Sequence, residues 1–332
     1  ESGKQSFWYS ATNALGGAVT EFALGEIAEK GGFLMAMENW TVDGGSGVDD
    51  FAVFIMSSGE VLVYQGDDPG TAADWAKVGS YVIPTPLDIR AVSRIGAQIL
   101  VATTSDLVYL PSAFSKASPP PTKLSGAMQL AGPSYKTNTG WQLTYFPKRT
   151  MMLLNVPVAS DEFEQYVINT SNGSPARFVD QDARSWGVYD DDLYFGSTDG
   201  IVYQADTGSD DNNANINSDA RQAWMDLGSP NEKVVTAFRG VFSGTTGFNP
   251  GMEMSYDFVN ADVTRVVTTG GSGTAWGSPW ADPWGATQVI RDEWQLAEGI
   301  GTVISPQVSL GTQDETPVWY RTDLLVEGGG NI

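Results

Sequence analysis

Apolar and polar residues alternate along most of the chain in short runs broken by Gly, Asp, Asn and Ser, and periodicity of the helical kind is almost absent. The clearest run is Asp191 to Ala205. Leu193 and Phe195 fall on one face of a first arm with Tyr194 on the other, Ser197 to Gly200 supply turn chemistry, and Ile201 to Tyr203 are β-formers. This predicts a tight antiparallel hairpin with Gly200 at positive φ and Ile201 in the buried returning arm. The stretch Phe51 to Gln65 repeats the theme: a small polar turn, Gly59, and the shared tripeptide Val63-Tyr64-Gln65.

Two weaker copies lie between, Ala97 to Leu110 and Met151 to Asn155 returning through Gln165 to Asn169. The tyrosines of the returning arms, Tyr64, Tyr109, Tyr166 and Tyr203, are spaced by roughly 40 to 60 residues, close to the ~40 to 50 of a propeller blade. Each hairpin is also expected to have a preceding short strand, at Tyr81 to Ile83, Ile89 to Ile95, Leu143 to Phe146 and Trp186 to Tyr189, which favours a propeller over a sandwich here. The best helical candidates, Leu24 to Lys30 and Thr71 to Lys77, are short, and one further turn is expected around Leu124 to Leu130.

The fold expected is therefore all-β: a β-propeller, partial in this chain, over residues 1–205, then an acidic linker at 206–220 and a small β-sandwich-like domain at 221–332. The linker is read from the Asp-, Asn- and Gly-rich run that starts at Asp206. Beyond it, Gln222 to Leu227, Val234 to Phe242, Met252 to Val259, Glu293 to Leu296, Thr302 to Leu310 and Val318 to Val326 are the expected strands. Trp40 to Asp50 reads as a flexible acidic loop, and it lacks the closing bidentate Glu of a calcium loop.

Composition narrows the chemistry. With 332 residues the chain can bury a large core, and 38 Gly and 17 Pro suit many short strands. It has no Cys and no His, so disulfides, thiolate nucleophiles, His-containing triads and Cys- or His-based zinc sites are excluded. The formal net charge is −22, from 40 acidic and 18 basic residues, which argues against a sequence reader of DNA. The same charge suits a soluble surface, or a conduit through which DNA slides without sticking. No run of about 18 apolar residues predicts a membrane span. The chain enters at Glu1 directly on Phe7-Trp8-Tyr9, which points to a segment upstream.

No phosphate-binding loop of the Gly-x-Gly-x-x-Gly or Walker type is present, and no cofactor or metal site is expected. Asp190, Asp191 and Asp192 cluster on a loop where a carboxylate-dependent glycosidase could carry its acids, yet Ser197-Thr198-Asp199-Gly200 misses the spacing and the Trp of sialidase-like repeats. Trp276, Trp280 and Trp284, with Asp282 among them, form a candidate surface for a glycan or protein partner, since aromatic faces stack on sugar rings. Trp beside Pro and Gly also packs a loop onto its own domain, and both readings stand at this point.

Ordered motifs carry a resemblance. Trp40 to Asp50 leading to Ser58-Gly59-Glu60-Val61 and Tyr64-Gln65-Gly66-Asp67-Asp68-Pro69 resembles a block of the β-propeller hub or nozzle proteins of short-tailed, podovirus-like bacteriophages. So do Leu154-Asn155-Val156-Pro157, Leu193-Tyr194-Phe195-Gly196 and Val202 to Gly208, over roughly residues 8 to 245. The resemblance implies a virion tail protein that works as a homo-oligomeric ring, a hexamer by expectation. It further implies contacts with other tail proteins such as an adaptor and fibres, DNA retention and ejection, and no enzymatic activity. DNA would pass without specific binding through a lumen lined by Asp and Glu. The alternatives are a carbohydrate-binding propeller that recognises a host surface, and the carboxylate glycosidase.

Overall fold

Strand pairing in the first part of the chain follows chain order within each of several small sheets, neighbours in sequence being neighbours in the sheet. The computed structural model describes residues 3–11, 13–43, 48–110, 131–244, 249–269, 289–297 and 299–328. The chain divides into two units, Glu1–Asp206 and Thr207–Ile332.

In the first unit β1 (Ser6–Ser10) and β2 (Val19–Ala23) form a hairpin. Four antiparallel meanders follow. Blade 1 is β3 (Leu34–Asp43), β4 (Val48–Met56), β5 (Glu60–Gly66) and β6 (Trp75–Val82); blade 2 is β7 (Val92–Ile95), β8 (Gln98–Ala102) and β9 (Leu107–Tyr109). Blade 3 is β10 (Gln142–Phe146), β11 (Met151–Ala159), β12 (Glu162–Asn169) and β13 (Pro175–Phe178); blade 4 is β14 (Ala183–Tyr189), β15 (Asp192–Ser197) and β16 (Val202–Ala205). Tyr64, Tyr109, Tyr166 and Tyr203 all lie in the third strand of their blade, as the repeat predicts.

Successive blades pack face to face through separate apolar clusters. Phe54, Leu62 and Tyr64 of blade 1 meet Phe7 and Phe22 of the hairpin, while the opposite face of the same strands, Val53, Ile55, Val61 and Val63, meets Ile99 and Val101 of blade 2. Leu100 and Leu107 of blade 2 join Leu143, Leu154 and Ile168 of blade 3 around Trp141, and Phe146, Leu153 and Val167 on the other side of blade 3 join Trp186 and Leu193 of blade 4. The central strands are therefore buried on both faces and read as near-continuous apolar runs. First strands converge: Arg90, just ahead of β7, bridges to Gln142 of β10, and the Leu143 amide donates to the Arg90 carbonyl. Stacked antiparallel meanders with converging first strands are propeller architecture, here a partial one.

Gly200 has φ +85°, and Gly59, at +84°, would bring a Cβ to 2.2 Å from the Ile83 carbonyl oxygen, so both turns need glycine. Local expectations differ in four places. Leu24 to Lys30 is one turn, closed by the Ala28 amide on Leu24, and Thr71 to Lys77 is a turn after which Trp75 opens β6 against Gly66. Both are too short to nucleate a helix. The expected loop Trp40 to Asp50 is mostly hairpin, paired up to Asp43 with Val48, because β-formers on both sides extend the ladder. Ile201 lies outside β16, its carbonyl closing the turn onto the Ser197 amide, and its side chain is 51% exposed. The expected turn around Leu124 to Leu130 lies outside the described residues.

The Glu60 carboxylate shows how blade 1 is anchored. It is buried, and it accepts the amides of Glu29 (3.2 Å) and Lys30 (2.8 Å) and the Ser80 hydroxyl (2.9 Å). Burial pushes its pKa up, but those bonds and the Lys77 charge outweigh it and hold the group below its ordinary value. A depressed carboxylate adds stability above its unfolded pKa that is lost as pH falls through the folded value. Glu60→Gln is therefore expected to cost about 1.5 to 3 kcal/mol at neutral pH. The difference should shrink in acid; parallel melting curves of the two proteins from pH 7 down to about pH 3 would contradict it.

The second unit contains β17 (Ile216–Arg221), β18 (Lys233–Gly244), β19 (Gly251–Tyr256), β20 (Val266–Thr269), β21 (Val289–Arg291), β22 (Gln295–Leu296), β23 (Ile300–Gly301), β24 (Ile304–Gln313) and β25 (Val318–Gly328). One sheet forms around β24, with β17 on one edge and β19 and β20 along the other. The second forms around β18, with β25 on one edge and β21, β22 and β23 in succession along the other. Val235, Phe238 and Phe242 face Met252, Met254, Ile304 and Val308, which makes a sandwich core. Part of the stretch expected as a linker is thus a strand: β17 is polar and exposed, and its ladder to β24 holds it. Gln222 to Leu227, expected as a strand, supplies only an isolated bridge at Met225 and a bond from the Gln222 amide to Pro306.

Candidate functional site

The most elaborate polar constellation among the described residues lies where the first strands of blades 2, 3 and 4 converge. Gln142 sits on β10, in register with Asn155 of β11, which is in register with Gln165 of β12, so the three side chains share one face of blade 3. That face looks onto β14. Gln142 accepts the Trp186 amide through Oε1 (2.9 Å) and donates Nε2 to the Trp186 carbonyl (2.7 Å), reproducing with a side chain the rung that a neighbouring strand would make. Asn155 Oδ1 accepts both Gln165 Nε2 (2.9 Å) and the Trp186 indole (3.1 Å), and its Nδ2 donates to the Ala183 carbonyl (2.8 Å).

Asn155 and Gln165 are fully buried, and their amides suit the site because each carries donors and an acceptor without charge. Gln165 Oε1 and Gln181 Oε1 have no protein donor. Arg90 reaches across from blade 2: its guanidinium donates to Gln142 Oε1 (3.4 Å) and the Arg184 carbonyl (3.3 Å), and Arg184 pairs with Asp161. On the first strand of blade 1, burial pushes the Glu38 carboxyl above its ordinary pKa, and the Arg94 charge offsets this in part. The converging strands thus carry charges of both signs. The physical reason is that these strands bind one another, and arginine spans between carbonyls of adjacent blades in a way a carboxylate cannot.

Chemically the arrangement fixes register. Asp190 and Asp191 occupy positive-φ turn positions, and Asp192 is spent on Lys148 (2.7 Å) and Gln204 (2.9 Å). Asp199 accepts the Ile201 amide and the Tyr203 hydroxyl, both at 2.9 Å, which hold its carboxyl below the usual range. These aspartates shape the turns of the hairpin and tie its arms. Among the described residues no group of three or more acidic side chains is placed to hold a metal ion. Trp276, Trp280, Trp284 and Asp282 lie outside the described residues. Sequence reasoning missed the roles of Asn155, whose signal is a lone amide inside an otherwise apolar strand, and of Gln165, which on the mixed strand β12 gives no such signal.

No family model matches the chain, and no curated protein matches it. Among solved structures it is similar to the crystal structure of a glycoside hydrolase family 43 arabinoxylan arabinofuranohydrolase from Bacillus subtilis in complex with cellotetraose. The identity is 10%, the TM-score 0.27, and the match covers 87% of this chain and 78% of that one. That neighbour is a glycoside hydrolase, and the expectation of no enzymatic activity is corrected on this finding.

Proposed function

We propose that the chain is a structural subunit of a bacteriophage tail, a partial propeller followed by a sandwich, that assembles with further copies around a DNA channel. The observation that supports this reading is positional. Motifs carrying the resemblance to podovirus-like hub and nozzle proteins occupy equivalent places in the repeat: Val63-Tyr64-Gln65 and Val202-Tyr203-Gln204 on third strands, and Leu193-Tyr194-Phe195 on a second strand. Leu154-Asn155-Val156 holds the buried amide that joins blades 3 and 4. Those motifs thus coincide with what keeps the blades in register. A rigid blade stack suits a wall that bears the pressure of packaged DNA.

Electron microscopy of the purified protein tests it. Rings of one copy number with an axial channel are expected. Single 35.5 kDa particles whose melting temperature rises with an added oligosaccharide would contradict it and favour glycan recognition instead.

A further inference from the structure

Lysine is rarely buried, because its ammonium gives up strong hydration and must recover every hydrogen bond inside the protein. Lys233, the first residue of β18, is 4% exposed. Its Nζ donates to three main-chain carbonyls, those of Ser229 (2.6 Å), Asn231 (2.7 Å) and Thr302 (2.8 Å). An ammonium has three hydrogens, and all are used. The acceptors come from two connections: Ser229 and Asn231 lie between β17 and β18, while Thr302 lies between β23 and β24, where the chain passes from one sheet of the sandwich to the other.

Thr302 is also held from a third connection, the one that leaves β19. There Asp257 Oδ1 accepts the Thr302 amide and hydroxyl, both at 2.8 Å, and the Val303 amide (3.2 Å), and the Asp257 amide donates to the Val303 carbonyl (3.0 Å). The Thr302 hydroxyl, the two amides and the Lys233 charge hold the Asp257 carboxyl below the usual range. Gly301, in register with Lys233, lets that carboxylate come close, since a Cβ there would stand 3.1 Å from Asp257 Oδ2.

Backbone strain marks two of the same connections. Leu227 (φ +49°), Asp257 (+46°) and Phe258 (+65°) are in the left-handed region, which is uncommon for any residue with a Cβ and an outlier for a bulky one. Leu227 and Phe258 are exposed, so burial of their side chains does not offset the strain. Such conformations persist only where the surroundings over-determine them. The bonds that run from Lys233 through Thr302 to Asp257 supply that constraint.

We propose that Lys233 is a tethered cation that locks the three connections at this end of the sandwich into one unit, coupled through Thr302. No one of them opens alone. Withdrawal of the ammonium frees the Thr302 carbonyl, loosens the residue whose amide and hydroxyl Asp257 holds, and lets Leu227 and Phe258 leave their strained conformations. The proposal is independent of the tail reading, because the second unit alone carries it.

Native-state hydrogen exchange of the intact chain tests it, with Lys233→Met, which removes the head group and keeps much of the stem, and Asp257→Gly, which removes the carboxylate and tolerates the positive φ. Coupling predicts crossed effects. Lys233→Met should speed exchange at the Thr302 and Val303 amides, which are bonded to Asp257 and not to the lysine, by about tenfold or more. Asp257→Gly should do the same at the Ser229 amide, which is bonded to the Asp226 carbonyl (3.0 Å) on the lysine's side. Should Lys233→Met fail to fold, exchange at Ser229 in Asp257→Gly decides alone. Effects confined to each variant's own connection overturn the proposal, as does a folded Lys233→Met with wild-type exchange at Thr302 and Val303.

Discussion

Asn155→Leu is expected to lower the unfolding free energy of the first unit by about 3 to 5 kcal/mol. Leucine is near in size, so the effect is one of partners rather than of volume. The change orphans the Trp186 indole, removes a donor from the Ala183 carbonyl, and takes one of two acceptors from the Gln165 amide, which keeps the Gln181 carbonyl, at buried positions. Each buried donor or acceptor left unpaired costs about 1 to 3 kcal/mol, and the three are coupled. In calorimetry the melting transition of the first unit should fall by roughly 10 °C while that of the second unit stays in place. A shift under about 2 °C would show that blades 3 and 4 are held by their apolar cluster alone.

The second large effect separates two neighbours in the same hairpin. Leu193 is 2% exposed and packs with Phe146, Leu153 and Trp186, whereas Ile201 is half exposed beside the turn. Leu193→Asp should cost about 3 to 5 kcal/mol, because it places a carboxylate in an apolar cluster with no cation to meet it. Ile201→Asp should cost under about 1 kcal/mol. Chemical denaturation of the two variants checks the ranking. Equal midpoints would mean that the hairpin presents its other face to blade 3.

Much of this architecture is legible in the sequence, and the places where it is not have physical causes. The repeat is visible because every blade returns through a strand carrying a tyrosine, and Tyr64 and Tyr166 are buried there against the preceding layer. Alternation fails as a guide to β4 and β5, whose two faces are both covered, so the apolar run gives existence but not orientation. Ile201 misleads because isoleucine is a strong β-former, yet its backbone carbonyl is needed to close the Ser197 turn. Polar β17 looks like a linker because its residues are exposed, and only the β24 ladder, far away in sequence, makes it a strand. Gln142, Asn155 and Gln165 lie on three different strands, so no local window shows that they meet. An amide inside an apolar strand shows only that something must satisfy it.

Charge on the converging strands bears on the proposed conduit. Arg90, Arg94 and Arg184 are placed there, but Arg90 is turned onto Gln142 and the Arg184 carbonyl, Arg184 pairs with Asp161, and Arg94 acts on Glu38. Binding of a duplex needs several cations free to displace counterions from its phosphates. On the proposed reading, Arg90 and Arg184, already engaged by protein oxygens in a chain of formal charge −22, would leave DNA without deep wells. Retention of linear duplex DNA by the assembled protein at low ionic strength tests this most directly. The account predicts no retention at micromolar protein, and retention that weakens steeply with added salt would contradict it.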